Sequence, residues 1–302
     1  MPQPTSYQCL RTIIEHFEAS LRFILTQRLP SINVFEKLIS LKIKHLELNK
    51  DFIMVNGRGP FPLGVLEGRN YITRVMSLEV YPKVPRHLKF QVNRLKLKRQ
   101  KDGFELLHKI LTPTSFPLES ITTNTIRHKD HSFLKSSTKE IIVWGYEKIV
   151  GIPDWKFKRV HFLQAQSFEL FHDILSAWMD QQNEIGTHFS FQFNWRDVIT
   201  ALTCWNMLQH FEEVIGGRLK EFGSDEYREC LIVPIDNQKE INIYGSKKIS
   251  EDVEISKDKG QNPFAGDKYI EYGIVLNMRI RERGFAEIVE DEIVEDVNME
   301  DQ

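Results

Sequence analysis

An eight-residue near-repeat is the sequence feature that most constrains the fold. Residues 104–111 and 168–175 are identical at six of their eight positions. Short alternating apolar runs precede and follow each copy, which predicts a unit of strand, helix and strand. An isolated unit cannot cover both its helix and its sheet face, so successive units should stack into one sheet with helices on one side. We therefore predict an α/β fold with a curved, leucine-rich-repeat-like strand-helix arc.

A helical module is predicted at the amino end, over residues 1–40. Apolar residues recur at three- and four-residue steps, which is the period of one helix face. They are Leu10, Ile13, Ile14, Phe17, Leu21, Ile24 and Leu25. Because Pro30 interrupts this pattern, we expect two or three short helices that end near Leu38.

The remaining chain divides by composition and periodicity. We predict a β/α repeat domain over 41–245, with a tight hairpin at Asn56 and Gly57. Within it, a long amphipathic helix should run from Trp195 to about Leu219. We expect a flexible loop at 246–268, a returning strand at 269–285 and a disordered tail at 286–302, where eight acids stand without Lys or Arg.

Composition excludes several protein classes. The chain has 302 residues, 41% of them hydrophobic, and a net charge of -2, so it can bury a core and has no strong overall field. Its three cysteines support neither a disulfide framework nor a zinc motif. No signal peptide and no apolar run of roughly 20 residues is found, so we expect a cytoplasmic or nuclear protein without a membrane segment.

Local catalytic motifs are not found in the sequence. There is no Walker loop, Rossmann glycine pattern, HExxH or GxSxG. His128 and His131 flank Asp130 and could offer metal ligands, but no further Cys/His cluster closes such a site. We therefore predict no enzyme, catalytic residue, metal or cofactor. A hydrolase with a dispersed site remains an alternative.

A basic stripe is predicted within residues 86–101. Its members are Arg94, Lys96, Lys98, Arg99 and Lys101. Strand periodicity should place Lys96 and Lys98 on the face opposite Leu95 and Leu97. A solvated face, docking of an acidic protein segment, or nucleic-acid binding could each explain the stripe, although no aromatic stacking platform accompanies it.

Several segments resemble a family of nematode proteins. Residues 10–18, 27–31 and 36–38 are similar to a degenerate F-box, and residues 116–120, 159–178 and 185–191 to nematode F-box-associated domains. The resemblance extends to about Tyr244, within a family that is itself uncharacterised. It implies a non-enzymatic ubiquitin ligase adaptor. The helical module would dock a Skp1-like adaptor of cullin-RING ligases, and the repeat domain would capture a substrate protein.

The same resemblance implies which residues would meet the adaptor. They are Leu10, Ile13, Ile14, Phe17, Leu21 and Leu29. These side chains would also serve as the core of the helical module. A second interpretation therefore stays open, in which the module merely caps the first strand of the arc, as the ends of repeat arrays require. An uncharacterised structural domain without any ligase link is the corresponding alternative function.

Overall fold

The structure is a computed structural model that divides into two compact units, Met1–Glu140 and Ile141–Gln302. The predicted domain 41–245 spans the boundary between them. The residues that the structure describes are 7–69, 71–81, 87–98, 104, 107–124, 126, 130–144, 157–163, 168–180, 183–193, 212, 217–224, 227–246 and 274–284.

The helical module contains three short helices, as the apolar spacing predicts. They are α1 (Tyr7–His16), α2 (Ala19–Arg28) and α3 (Asn33–Lys37), with a 3-10 turn at Pro30–Ile32 between α2 and α3. Proline can open such a turn because its missing N–H has no helical partner at that position. Ile14 and Phe23 are buried, and the Phe23 ring meets Phe61 edge to face at 5.6 Å. The helices are therefore packed against the first unit.

Six strands form the sheet of the first unit. They are β1 (Lys42–Leu48), β2 (Phe52–Val55), β3 (Arg58–Pro62), β4 (Thr73–Val80), β5 (Phe90–Leu97) and β6 (Ser120–Thr123), with α4 (Leu107–Ile110) and α5 (His131–Ser137) as the further helices described. Their order is β6-β5-β4-β1-β2-β3. The pairs β1–β4, β4–β5 and β5–β6 are parallel, and β1–β2 and β2–β3 are antiparallel.

The predicted hairpin joins β2 to β3. Asn56 and Gly57 have φ angles of 51° and 74°. Both lie in the left-handed region that tight hairpin turns require and that Asn and Gly tolerate. The hairpin prediction is confirmed, and β3, with its two prolines, lies at the edge of the sheet.

One burial pattern recurs along the parallel strands. Apolar side chains are buried at the first, fourth and sixth positions of a six-residue stretch, whereas the second and third are exposed or half-exposed. The buried sets are Ile43/Leu46/Leu48, Val75/Leu78/Val80, Val92/Leu95/Leu97 and, in the second unit, Phe157/Val160/Phe162. Strict alternation would bury every second residue. The alternation of buried and exposed side chains therefore shifts by one residue at the same point of each stretch.

The second unit combines parallel and antiparallel strands. Its strands are β7 (Ile141–Trp144), β8 (Arg159–Leu163), β9 (His188–Phe193), β10 (Arg218–Ser224), β11 (Tyr227–Pro234), β12 (Lys239–Ser246) and β13 (Ile274–Glu282), with α6 (Phe168–Asp180) between β8 and β9. Their order is β10-β11-β12-β13-β9-β8-β7. The pairs β7–β8 and β8–β9 are parallel, and the remaining pairs are antiparallel.

Two predictions for the second unit have different outcomes. The returning strand is found as β13. The predicted end of the long helix, at about Leu219, is wrong, because Arg218 and Leu219 begin β10 and pair with β11. Residues 194–211 of that helix, residues 247–268 of the predicted loop and the tail 286–302 lie outside the described residues.

Both copies of the near-repeat connect parallel neighbouring strands. The first copy contains α4, between β5 and β6, and the second contains α6, between β8 and β9. Leu107, Ile110 and Leu111 are buried in the first copy, and Phe171, Ile174 and Leu175 at the matching positions of the second. The intervening pairs His108/Lys109 and His172/Asp173 are exposed. The predicted unit of strand, helix and strand is thus present twice within a mixed α/β fold.

The longer helix α6 is held on its strands by aromatic packing. Trp178 is 1% exposed and meets Phe189 of β9 edge to face at 4.8 Å. Phe171 of α6 contacts Phe191 of the same strand at 5.3 Å. Trp178 is therefore a core residue of the second unit.

Candidate functional site

The six residues that the resemblance assigns to adaptor docking differ in exposure. Leu29, Ile13 and Leu21 expose 52%, 46% and 36% of their surface. Leu10 and Phe17 are half-buried, and Ile14 is buried at 3%. Ile14 therefore belongs to the core of the helical module, whereas Ile13, Leu21 and Leu29 are available to a partner.

Two further exposed apolar residues lie on α3 and were not singled out from the sequence. Val34 exposes 68% of its surface and Phe35 exposes 36%. With Ile13, Leu21 and Leu29, they make five of the eleven large apolar side chains found exposed among the described residues. Five exposed apolar side chains within residues 7–37 are typical of an interaction surface, whereas single exposed apolar residues scattered over a protein need no explanation. We call these five residues the apolar surface of the helical module.

A buried ion cluster fixes α3 and therefore the orientation of Val34 and Phe35. The Glu36 carboxylate forms an ion pair with Arg22 of α2 at 2.8 Å. It also accepts a hydrogen bond from Arg69, in the turn before β4, at 2.6 Å. All three side chains are at most 3% exposed. Arg22 also donates to the backbone carbonyls of Ser40, Glu36 and Ile39. Because α3 has only five residues, these contacts, more than helix propensity, hold it in place.

The ion cluster contains two guanidinium groups and one carboxylate. Burial lowers the pKa of Arg22, Glu36 opposes this effect, and Arg69 adds to it by charge repulsion. An arginine side chain nevertheless stays charged in a protein. The ion cluster therefore carries one positive charge in excess.

The basic stripe is paired with acids from neighbouring strands. Lys96 lies 3.2 Å from the Glu79 carboxylate of β4, which also binds Lys98, and Arg94 lies 3.0 Å from Glu119. Burial would raise the pKa of Glu79, but Lys96 and Lys98 lower it below its ordinary value. Leu95 and Leu97 are buried while Lys96 and Lys98 are half-exposed. Arg99 and Lys101 lie outside the described residues.

A buried polar cluster lies on β8, β9 and β13 of the second unit. His161 Nδ1 is hydrogen-bonded to Ser190 Oγ, and the His188 Nε2–H donates to Asn277 Oδ1 at 3.1 Å. The His161 and His188 rings meet edge to face at 5.7 Å. A histidine bonded to a serine is also the arrangement of an activated nucleophile. Here both side chains are buried, His161 at 2% and Ser190 at 3%, so the pair is packed inside the unit.

His188 makes the second unit sensitive to acid. The pKa of His188 is lowered from 6.5 to about 3, mainly by burial and to a smaller extent by His161, against the opposing effect of the bond to Asn277. Between these two values the unfolded chain binds more protons than the folded chain, so stability falls as the pH falls. We expect denaturant titrations between pH 7 and pH 4 to show a shallower loss of stability for His188→Gln than for the wild type. Equal slopes would contradict this result, and His172→Gln, at an exposed site, is the control.

The histidines considered as metal ligands are not brought together with further ligands. His128 lies outside the described residues, and His131 begins α5. Within the described ranges, no group of three or more His, Cys, Asp or Glu side chains could hold a metal ion. Nor is any helix of the described segments both long and apolar enough to cross a bilayer.

Comparison with known proteins gives one family match. The model of a family described as Domain of unknown function (DUF3557) matches residues 64–194. The match includes both copies of the near-repeat and begins after the helical module. No curated protein and no solved structure matches the chain. Residues 64–194 are therefore similar to a domain family of unknown function.

Proposed function

We propose that this chain is a non-enzymatic protein-interaction adaptor of the F-box-like type found in nematodes. Its helical module would dock a Skp1-like adaptor of a cullin-RING ubiquitin ligase, and its strand-helix repeats would capture a substrate protein in the cytoplasm or nucleus. The observation that carries the proposal is the apolar surface of the helical module, formed by Ile13, Leu21, Leu29, Val34 and Phe35. No catalytic role is assigned to any residue.

The apolar surface fits a protein partner because of its composition and support. The cores of protein interfaces are apolar and poor in charge, whereas a chain without a partner gains nothing from exposing large side chains in one module. Val34 and Phe35 directly precede the buried Glu36, which holds α3 in place through Arg22 and Arg69. A surface held in place before binding loses less conformational entropy on association.

The burial pattern shared by these strands supports a substrate-binding role for the repeats. Buried residues at positions one, four and six match the L-x-x-L-x-L spacing of leucine-rich repeats. In β1, β4 and β5 the intervening positions carry polar side chains in register, namely His45, Ser77 and Arg94. All three are half-exposed. Parallel sheets are usually covered on both faces, so polar, partly exposed side chains on such strands are suited to contacting another molecule.

Nucleic-acid binding through the basic stripe fits these observations less well. Phosphate binding requires cations that are free to replace counterions along the backbone. Lys96 and Lys98 instead share Glu79, and Arg94 is paired with Glu119. The local field of these three cations is therefore reduced by two carboxylates. This second function would be favoured if the chain bound RNA or DNA, and if that binding weakened steeply with increasing salt and on charge reversal of Lys96.

A binding experiment with a purified Skp1-type adaptor tests the proposal. We expect the full-length chain to bind at micromolar concentrations. The double variant Ile13→Asp/Leu29→Asp should bind at least about tenfold more weakly, because buried interface residues of this kind contribute about 1 kcal/mol or more each. Calorimetry or surface plasmon resonance measures the change.

The matched control is Thr12→Asp/Gln27→Asp. It introduces the same two charges at exposed polar neighbours of Ile13 and Leu29. We expect this control to bind within about twofold of the wild type, since exposed charges outside the contact have small effects. Absent binding of the wild type would remove the ligase function and leave the repeats as an interaction domain of another kind.

A further inference from the structure

An open cavity lies beside the first residues of β4 and β5. Its volume is about 440 Å³. The side of the cavity towards β4 includes Glu67, Arg69, Tyr71 and Ile72, and the side towards β5 includes His87 and Lys89. All of these residues belong to the first unit and to the segment that the family model matches. The cavity does not include His131, so it differs from the metal site considered above.

Arg69 connects this cavity to the buried ion cluster. Its Nη2 donates to Glu36 and to the Val65 carbonyl, and its Nε donates to the same carbonyl. Its Nη1 is buried without a hydrogen-bond partner, as is Arg22 Nε. A buried charged donor without an acceptor is unfavourable, since its desolvation is not compensated. The ion cluster, with two guanidinium groups for one buried carboxylate, thus lies beside a cavity that is open to ligands.

The other cavity residues favour the same class of ligand. Lys89 is exposed, and its Nζ lies 3.5 Å from the His108 carbonyl, which leaves donors of the ammonium group for a ligand. Glu67, the acid of the cavity, lies 3.0 Å from His87 Nε2. Tyr71 and Ile72 expose 53% and 51% of their surface, so the rim is apolar. Cationic donors beside an apolar rim suit an acidic group that follows or precedes an apolar side chain.

We propose that this cavity binds an oxyanion on a partner peptide, a carboxylate flanked by apolar side chains, through the exposed Lys89, beside the buried positive charge of Arg69. The inference rests on the proposed function in naming the substrate group that the repeats capture. An acidic group here would neutralise the excess charge next to Glu36. Tyr71 and Ile72 would cover the neighbouring apolar side chains of the peptide. The site is separate from the helical surface proposed for the adaptor.

Fluorescence anisotropy with three labelled peptides tests this inference on the full-length chain. The probe is a fluorescein-labelled heptapeptide with a central glutamate between phenylalanines, and its matched partners carry glutamine or phosphoserine at the centre. We expect the glutamate peptide to bind at least about tenfold more tightly than the glutamine peptide, because a charged acceptor roughly doubles the strength of such bonds. Lys89→Met should weaken glutamate binding about three- to tenfold. Arg69 is unsuitable for substitution because it also holds Glu36.

Lys135→Met is the matched control for Lys89→Met. Lys135 is exposed on α5 and is not among the residues around the cavity, so this variant should bind the glutamate peptide like the wild type. If the phosphoserine peptide binds more tightly than the glutamine peptide in a manner that depends on Lys89, and the glutamate peptide does not, the oxyanion is a phosphate and not a carboxylate. Equal binding of all three peptides, or an unchanged affinity of Lys89→Met, would overturn the inference. So would the absence of binding at peptide concentrations up to about 1 mM, since a dissociation constant of that size corresponds to a binding free energy of only about 4 kcal/mol. Ile13→Asp/Leu29→Asp should retain peptide binding, so failure of adaptor docking and failure of this site can be told apart.

Discussion

Glu36→Gln should lower the free energy of unfolding of the first unit by about 3–5 kcal/mol, the range found when one partner of a buried ion pair is removed. Glutamine keeps the size and shape of the side chain but removes its charge. Arg22 and Arg69, both at most 3% exposed, would then lie close together without any carboxylate between them. Since these contacts join α2, α3 and the turn before β4, the loss should be felt across the helical module and the start of the sheet.

Urea denaturation followed by circular dichroism measures this effect, and hydrogen exchange shows where it occurs. We expect amides of α2 and α3 in the variant to lose more protection than amides of α6. Glu47→Gln is the control, because Glu47 is half-exposed on β1 and lies 3.7 Å from the His45 ring, beyond hydrogen-bond distance. That change should stay within about 0.5 kcal/mol. Equal effects of the two substitutions would show that the ion cluster is not what holds α3.

Ile110→Ala and Ile174→Ala should each destabilise their unit by about 2–5 kcal/mol. The same residue stands at the matching position of the two copies, and both side chains are 0% exposed. Removal of the buried methyl groups loses transfer free energy and leaves a cavity under α4 or α6. Similar packing should give similar losses, even though α4 has four residues and α6 has thirteen.

The neighbouring exposed pair provides the control for this comparison. Lys109→Ala and Asp173→Ala change matching positions that face solvent in both copies, so each should stay within about 0.5 kcal/mol. Hydrogen exchange or denaturant titration of the four variants gives the comparison. A large loss for Ile174→Ala with none for Ile110→Ala would mean that the two copies share sequence but not a structural role.

Local sequence patterns predicted much of the fold. The near-repeat predicted two strand-helix-strand units because identical apolar residues at helical spacing need equivalent packing. Asn56 and Gly57 predicted a hairpin because few other residues accept its backbone angles. The burial pattern shared by β1, β4, β5 and residues 157–162 was not predicted, although the spacing of Val75, Leu78 and Val80 is visible in the sequence. The curvature of a leucine-rich-repeat-like arc stays a prediction.

Residues that depend on tertiary neighbours were beyond local sequence reasoning. Lys96 and Lys98 stand in a stretch without acids, but their partner Glu79 lies on the adjacent strand. Glu36 is a charged residue on a five-residue helix and would be expected at the surface, yet two distant arginines bury it. The bond between His161 and Ser190 follows from the register of β8 against β9, which no local pattern specifies.

Val34 and Phe35 show a related limit of the helical pattern. The family resemblance implied a docking set that includes the buried Ile14 and omits the exposed Val34 and Phe35 of α3. Periodicity identifies an apolar face but does not show which of its residues the rest of the chain covers. Only the position of α3, set by Glu36, shows that its apolar residues remain exposed.

Hydrogen exchange of the full-length chain with and without a purified Skp1-type adaptor tests the central claim most directly. If the helical module is the docking surface, new protection should appear within residues 7–37, around Ile13, Leu29 and Val34, while β4 and β5 remain unchanged. Ile13→Asp/Leu29→Asp should abolish that protection. Protection confined to the strands, or none at adaptor concentrations that saturate a micromolar complex, would contradict the account.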